Sequence, residues 1–152
     1  GEVKEEIAKL VRVTEECLYK GIEQAIAGNR IGDISYAIMY HASKINPYGV
    51  VKELVGHGIG RKLHEAPEVP NFGAKGKGPM LKEGMTLAVE PMINLGTANV
   101  KQLSDGWTIV TKDLKVSAHF EHTLAVQKDS AEVLSDHSLI KSAIKNNIEL
   151  LK

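Results

Sequence analysis

Two histidines seven residues apart, in Gly56-His57-Gly58-Ile59-Gly60 and His64-Glu65-Ala66-Pro67, form the densest group of chemistry-bearing residues in the sequence. The glycines around His57 remove side-chain bulk, so backbone and imidazole can come close to a bound ion or peptide. A neutral imidazole placed there is a ready ligand for a divalent ion. The competing reading makes His57 a hydrogen-bonded histidine in a turn and His64 a surface residue, and the segment alone leaves both open. A phosphate-loop reading of these glycines, or of those at 73, 76 and 78, is weaker. Neither stretch has the Gly-Lys-Ser/Thr ending or the strand-to-helix setting that such a loop needs.

Two carboxylates raise a related question. Glu90 interrupts the apolar run Leu87-Ala88-Val89-Glu90-Pro91-Met92-Ile93, and Glu121 heads another in Phe120-Glu121-His122-Thr123-Leu124-Ala125-Val126. An ionised Glu buried in such a strand is costly unless it is paired, hydrogen-bonded or bound to metal. Period-two alternation could equally turn either one toward solvent. Taken together, one histidine at a glycine-lined bend and two glutamates on separate strands form a nitrogen and oxygen set suited to Mn, Co, Fe or Zn. Three protein ligands leave a position for water, whose pKa a metal lowers toward neutrality, and the same ion polarises a carbonyl. His64 would then be a nearby donor to the charge that develops on a scissile group.

The elements that must position these residues are legible in outline. Val3, Ile7, Leu10, Val11, Leu18, Ile22 and Ala25 recur at helical steps, and Gly28-Asn29 punctuates that first helix. Asp33 is a candidate N-cap for a second helix carrying Ile34, Ile38, Ala42 and Ile45, which Asn46-Pro47 ends. From Val50 the pattern turns to short strand-like runs: VVKELVG, MTLAVEPMINL, WTIVT, HFEHTLAV and AEVL. Ile140, Ile144, Ile148 and Leu151 space one more helix over residues 138–152, for which the sequence offers no functional role. Helices followed by antiparallel strands predict an α+β fold in a single domain, residues 1–152, which is an ordinary domain length.

Composition narrows the partners. Nineteen Lys and Arg balance nineteen Asp and Glu, which gives no general electrostatic reason to expect nucleic acid or an anionic membrane surface. No apolar run approaches membrane-spanning length. Cys17 is the only cysteine, and together with the lack of a signal-peptide pattern it points to a reducing, cytoplasmic setting. The chain opens on Gly1 rather than Met, which raises the expectation of a cut inside a longer protein.

Four motifs, GHGIGRKLHEAP, AVEPMINLG, SDGWTIVTKD and HFEHTLAV, together resemble the C-terminal half of type I methionine aminopeptidases, from about residue 3 to residue 134. DGWT with EHT also separates this branch from the related prolidases and aminopeptidases P. The resemblance implies half of a pita-bread (creatinase/aminopeptidase) fold, a dinuclear metal centre, and removal of the initiator methionine from new polypeptides. It implies that His57 and Glu90 bind one metal ion, that Glu121 bridges both, and that His64 contacts the substrate peptide and stabilises the transition state. Trp107 resembles a wall of the methionine pocket, against the alternative of a tryptophan packed at a turn for core reasons. Leu63 takes a place beside the catalytic histidine where many relatives have Phe, so its pocket role departs from the family pattern.

A larger departure concerns two aspartates on a β-hairpin and a further histidine, which the family carries in an N-terminal half. Asp33, Asp105, Asp113, Asp129 and Asp136 stand in the wrong motifs and order to replace that pair. The expectation is therefore a fragment of a longer enzyme that binds at most one ion, weakly, and is inactive alone. Such a half-fold should expose strand edges and apolar faces and self-associate or pair with its missing half. The alternatives are an inactive half-fold kept as a protein-interaction module, and one chain of a split enzyme.

Overall fold

The computed structural model of the protein describes residues 2–146; Gly1 and residues 147–152, with Ile148 and Leu151 of the expected last helix, lie outside the described residues. Helix α1 (Glu5–Ile22) forms because Leu10, Val13, Cys17 and Leu18 fall on one stripe and bury it. Glu5 and Glu6 occupy its first turn and Lys20 its last, in the sense the helix dipole favours. Val3, expected on that stripe, precedes the helix and is exposed.

Helix α2 (Ile31–Tyr40) packs against α1 at Gly21, where a Cβ would lie 2.9 Å from Ile38 Cδ1. Asp33 is the third residue of α2 rather than its N-cap, which is Arg30. Its carboxylate accepts the N–H of Arg30 and the N–H of Gly76, each at 2.8 Å, and so ties the helix start to a distant loop. A wider helical turn, His41–Ile45, extends α2 to Asn46. Pro47 then disfavours helical backbone in the residue before it.

The strands follow as β1 (Gly49–Val50), β2 (Gly56–Gly58), β3 (Glu65–Val69), β4 (Thr86–Val89) and β5 (Met92–Asn94). They continue with β6 (Val100–Gln102), β7 (Ile109–Thr111), β8 (Ser117–His119), β9 (His122–Val126) and β10 (Ala131–Val133). They pair antiparallel in a five-stranded sheet ordered β10-β9-β4-β2-β3, a three-stranded sheet ordered β1-β5-β8, and a β6-β7 hairpin. The arrangement is α+β. Leu87, Val89, Ile93, Leu124 and Val126 line the covered sheet faces and join Leu10, Leu18, Ile34 and Ile38 of the helices in one core.

Three strand expectations need correction. The run VVKELVG is broken by a bend at residues 52–54. MTLAVEPMINL and HFEHTLAV, each expected as one strand, are two strands apiece that part at Glu90-Pro91 and Phe120-Glu121. Pro91 has no N–H to give to a ladder, so pairing cannot run through it. The registers Val89↔His122 and Met92↔His119 bracket both breaks, so the two segments pass between the sheets side by side. Strand β3, which carries Pro67 and is not among the expected runs, is an edge strand, where proline is tolerated.

Helix α3 (Ser138–Asn146) buries none of its residues. It is held to α1 by Lys141, whose ammonium donates to Tyr19 Oη at 2.9 Å and lies 3.3 Å from Glu15. Among the described residues no helix is long and apolar enough to cross a membrane.

Cys17 is fully buried in α1, and burial, with Glu16 beside it, pushes its thiol up to about 12. Thiol chemistry runs through the thiolate. Ellman's reagent should therefore label Cys17 only after denaturation; stoichiometric labelling of the native chain within minutes would contradict this packing.

Candidate metal centre

Glu90 and Glu121 stand at the two places where the chain steps between sheets, one between β4 and β5, the other between β8 and β9. The two steps are level with each other: Phe120 donates its N–H to the Pro91 carbonyl at 3.4 Å, between the flanking registers. The registers Val89↔His122 and Met92↔His119 set Glu90 opposite Glu121, and opposite side chains of an antiparallel pair share one face. On that face ligand atoms of Glu90, His119 and Glu121 all lie within 4.8 Å of one another.

His57 approaches Glu90 from β2, which runs between β3 and β4. A Cβ at Gly56 would strike the Ala88 carbonyl, and one at Gly58 the Ala66 carbonyl. The Gly-His-Gly spacing thus lets both neighbouring strands close in around a single imidazole. His57 Nδ1 lies 3.0 Å from the Gly58 carbonyl, which can only accept, so that nitrogen carries the proton. Its Nε2 then faces Glu90 Oε1, 3.5 Å away. His119 Nε2 faces the other oxygen, Oε2, at 3.4 Å. His64 lies against His57 with ring centroids 4.3 Å apart, edge to face.

The electrostatics of this cluster ask for a cation. The Glu90 side chain is only 14 % exposed, and among the described residues its ion-pair partners are two histidines, with no Lys or Arg. Two ionised carboxylates about 4 Å apart repel by roughly 1–4 kcal/mol in the range from water to protein-surface dielectric. A divalent ion between them turns repulsion into attraction, and the imidazole and carboxylate donors suit Mn, Fe, Co or Zn. The residues present fit such an ion on charge and donor chemistry alike.

The backbone of Glu90 is pinned separately. Asn71, fully buried after β3, donates from Nδ2 to the Glu90 carbonyl at 3.1 Å, and among the described residues its Oδ1 has no partner. His122, adjacent to Glu121, is buried against Tyr19 and stacks on His137 with centroids 4.0 Å apart. Burial, with the positive neighbours His137 and Lys141, pushes its imidazole pKa below the ordinary value.

Of the residues singled out in the sequence, the structure brings His57, His64, Glu90 and Glu121 together. Leu63 sits beside His64 and is 68 % exposed. Trp107 stands on the β6-β7 loop, 88 % exposed, so it is not packed for core reasons, and among the described residues it shares none of these contacts. Its loop is closed by Asp105, whose carboxylate accepts the N–H groups of Trp107 and Thr108 and the Thr108 hydroxyl. Those bonds, the hydroxyl first, hold the Asp105 carboxyl below its ordinary value. Sequence reasoning missed His119 and Asn71. His119 had a signal, since it lies two residues before Glu121 and side chains two apart share a strand face; Asn71, in a loop, had none.

Residues 1–128 match the model of metallopeptidase family M24, and the chain belongs to that family. It is 53 % identical to a methionine aminopeptidase of Clostridium perfringens over 135 residues, 89 % of this chain and 54 % of the relative. Against methionine aminopeptidase 1 of Bacillus subtilis the identity is 47 % over the same span of 135 residues. The chain thus spans about half the length of the curated relatives it matches. The crystal structure of a methionine aminopeptidase from Thermotoga maritima superposes with a TM-score of 0.87 at 44 % identity, over 90 % of this chain and 55 % of that one. A prolidase from Pyrococcus furiosus, at 19 % identity and a TM-score of 0.66, shares the pita-bread fold alone.

If repulsion between Glu90 and Glu121 shapes the metal-free site, Glu121→Gln should raise the melting temperature of the metal-free chain. The same change should shrink the rise that saturating Mn(II) gives the parent, because a ligand of the native state stabilises it by mass action. Thermal unfolding with and without Mn(II) checks both. An unchanged or lower metal-free melting temperature, with the Mn(II) effect intact, would contradict the shared site.

Proposed function

We propose that this chain carries part of the active site of a metal-dependent aminopeptidase that removes N-terminal methionine from newly made polypeptides. The observation that supports this most is the convergence of Glu90 and Glu121 at adjacent strand breaks, with His57 and His64 alongside. The similarity to methionine aminopeptidases over about half their length points the same way.

In this reading His57, Glu90 and Glu121 hold a divalent ion, Mn, Co, Fe or Zn, with Glu121 shared by a second ion in a complete two-metal site. When bound, the metal supplies an acidified water and polarises the scissile carbonyl. His64 donates a hydrogen bond to the charge developing on the peptide, and His57 holds it through their ring contact. Leu63 and Trp107, both exposed here, would gain cover as walls of a methionine pocket when further sequence packs on this face. Alone, the chain binds at most one ion, weakly, and acts as one lobe of a larger catalytic domain. A cytoplasmic setting belongs to the same proposal and agrees with a single, buried cysteine.

The test is release of methionine from a Met-Gly-Met peptide with added Mn(II) or Co(II), by the chain alone and after mixing with the N-terminal half of a methionine aminopeptidase. Activity should appear on mixing. His64→Ala should then lower kcat by about 10²–10³, the usual cost of losing one donor to a developing oxyanion, and leave metal uptake unchanged. Metal uptake without activity in any mixture would overturn the peptidase reading.

A further inference from the structure

We infer that His119 is a metal ligand of this site, so that one chain offers four donors, His57, Glu90, His119 and Glu121, to a single divalent ion. The inference rests on the metal-dependent reading above and adds a residue to it. Three observations carry it. The His119 Nε2 lies 3.4 Å from Glu90 Oε2, on the opposite oxygen from the one that His57 faces. Its ligand atom, unlike that of His57, falls with those of both glutamates in one group of donors within 4.8 Å of one another. The third is backbone placement: His119 ends β8 opposite Met92, two residues before Glu121 and so on the same face, with Glu90 opposite Glu121. Its imidazole therefore projects from the rim of the seam into which both carboxylates turn.

A surface histidine near a carboxylate would need only a hydrogen bond to it. His119 is half exposed, yet its Nε2 sits among two acidic groups with no Lys or Arg paired to either among the described residues. That is where a cation gains most from one more neutral nitrogen donor. Two imidazoles and two carboxylates also make a set that several first-row divalent ions accept. His57 and His119 would then flank Glu90 from β2 and β8, one from each side.

Through-bond proton–cadmium NMR correlation on the 152-residue chain, loaded with spin-active Cd(II), tests this directly because coupling crosses only a metal–nitrogen bond. The expected spectrum correlates ring protons of two histidines, His57 and His119, with one cadmium resonance. His119→Gln keeps an amide able to hydrogen-bond Glu90; it should remove one set of correlations and lower Cd(II) affinity about tenfold or more. Bound cadmium that shows no His119 correlation would overturn the inference and leave the peptidase reading intact, with His119 a hydrogen-bond partner of Glu90. A chain that takes up no Cd(II), Mn(II) or Co(II) would overturn both. Should His119→Gln fail to fold, the parent spectrum still decides, since the His119 correlation is either there or not.

Discussion

The approach of two carboxylates, Glu90 and Glu121, to within 4.8 Å of each other and of an imidazole is the constraint on which the site depends. Uncompensated, it works against the fold. The surrounding structure holds it by means that do not involve the carboxylates themselves. Flanking ladders fix Val89 against His122 and Met92 against His119, and Asn71 grips the Glu90 carbonyl. Helices α1 and α2 pack Leu10, Leu18 and Ile38 into the same core as the covered sheet faces. Hydrophobic burial at roughly 25 cal/mol per Å² supplies far more free energy over such a core than the pair of charges costs. The strain is local and the support is distributed, which is how a site can keep like charges together before anything binds.

Backbone proximity is the second requirement. Strand β2 brings His57 to Glu90 only because Gly56 and Gly58 allow the Ala88 and Ala66 carbonyls to come where a Cβ would stand. The hydrogen bond from His57 Nδ1 to Gly58 then settles which ring nitrogen faces the carboxylate. A glycine pair and one short-range hydrogen bond thus decide both the position and the tautomer of this imidazole, the kind of support that histidine ligands in metal sites receive.

Much of this was legible in the sequence. The helical stripes of α1 and α2 stand out because period 3.6 is unambiguous over many residues, and the glutamates stood out because each is alone in an apolar run. The breaks at Glu90-Pro91 and Phe120-Glu121 were harder to see. Periodicity reads MTLAVEPMINL as one strand, although Pro91 carries the information that its ladder stops there. His119 was passed over because two-residue spacing to Glu121 is common and only the seam gives it meaning. Asn71 and β3 depend on long-range pairing, which local pattern does not encode. Asp33 shows a smaller failure of the same kind: a residue suited to an N-cap serves instead at the third position, where it can hold both Arg30 and Gly76.

Anomalous diffraction from crystals of the chain soaked in Mn(II) or Co(II) tests the central claim most directly. The account predicts a single strong peak at the seam, at bonding distance, about 2.0–2.2 Å, from carboxylate oxygens of both Glu90 and Glu121. Crystals that stay free of metal at saturating ion, or a peak away from these two glutamates, would contradict it.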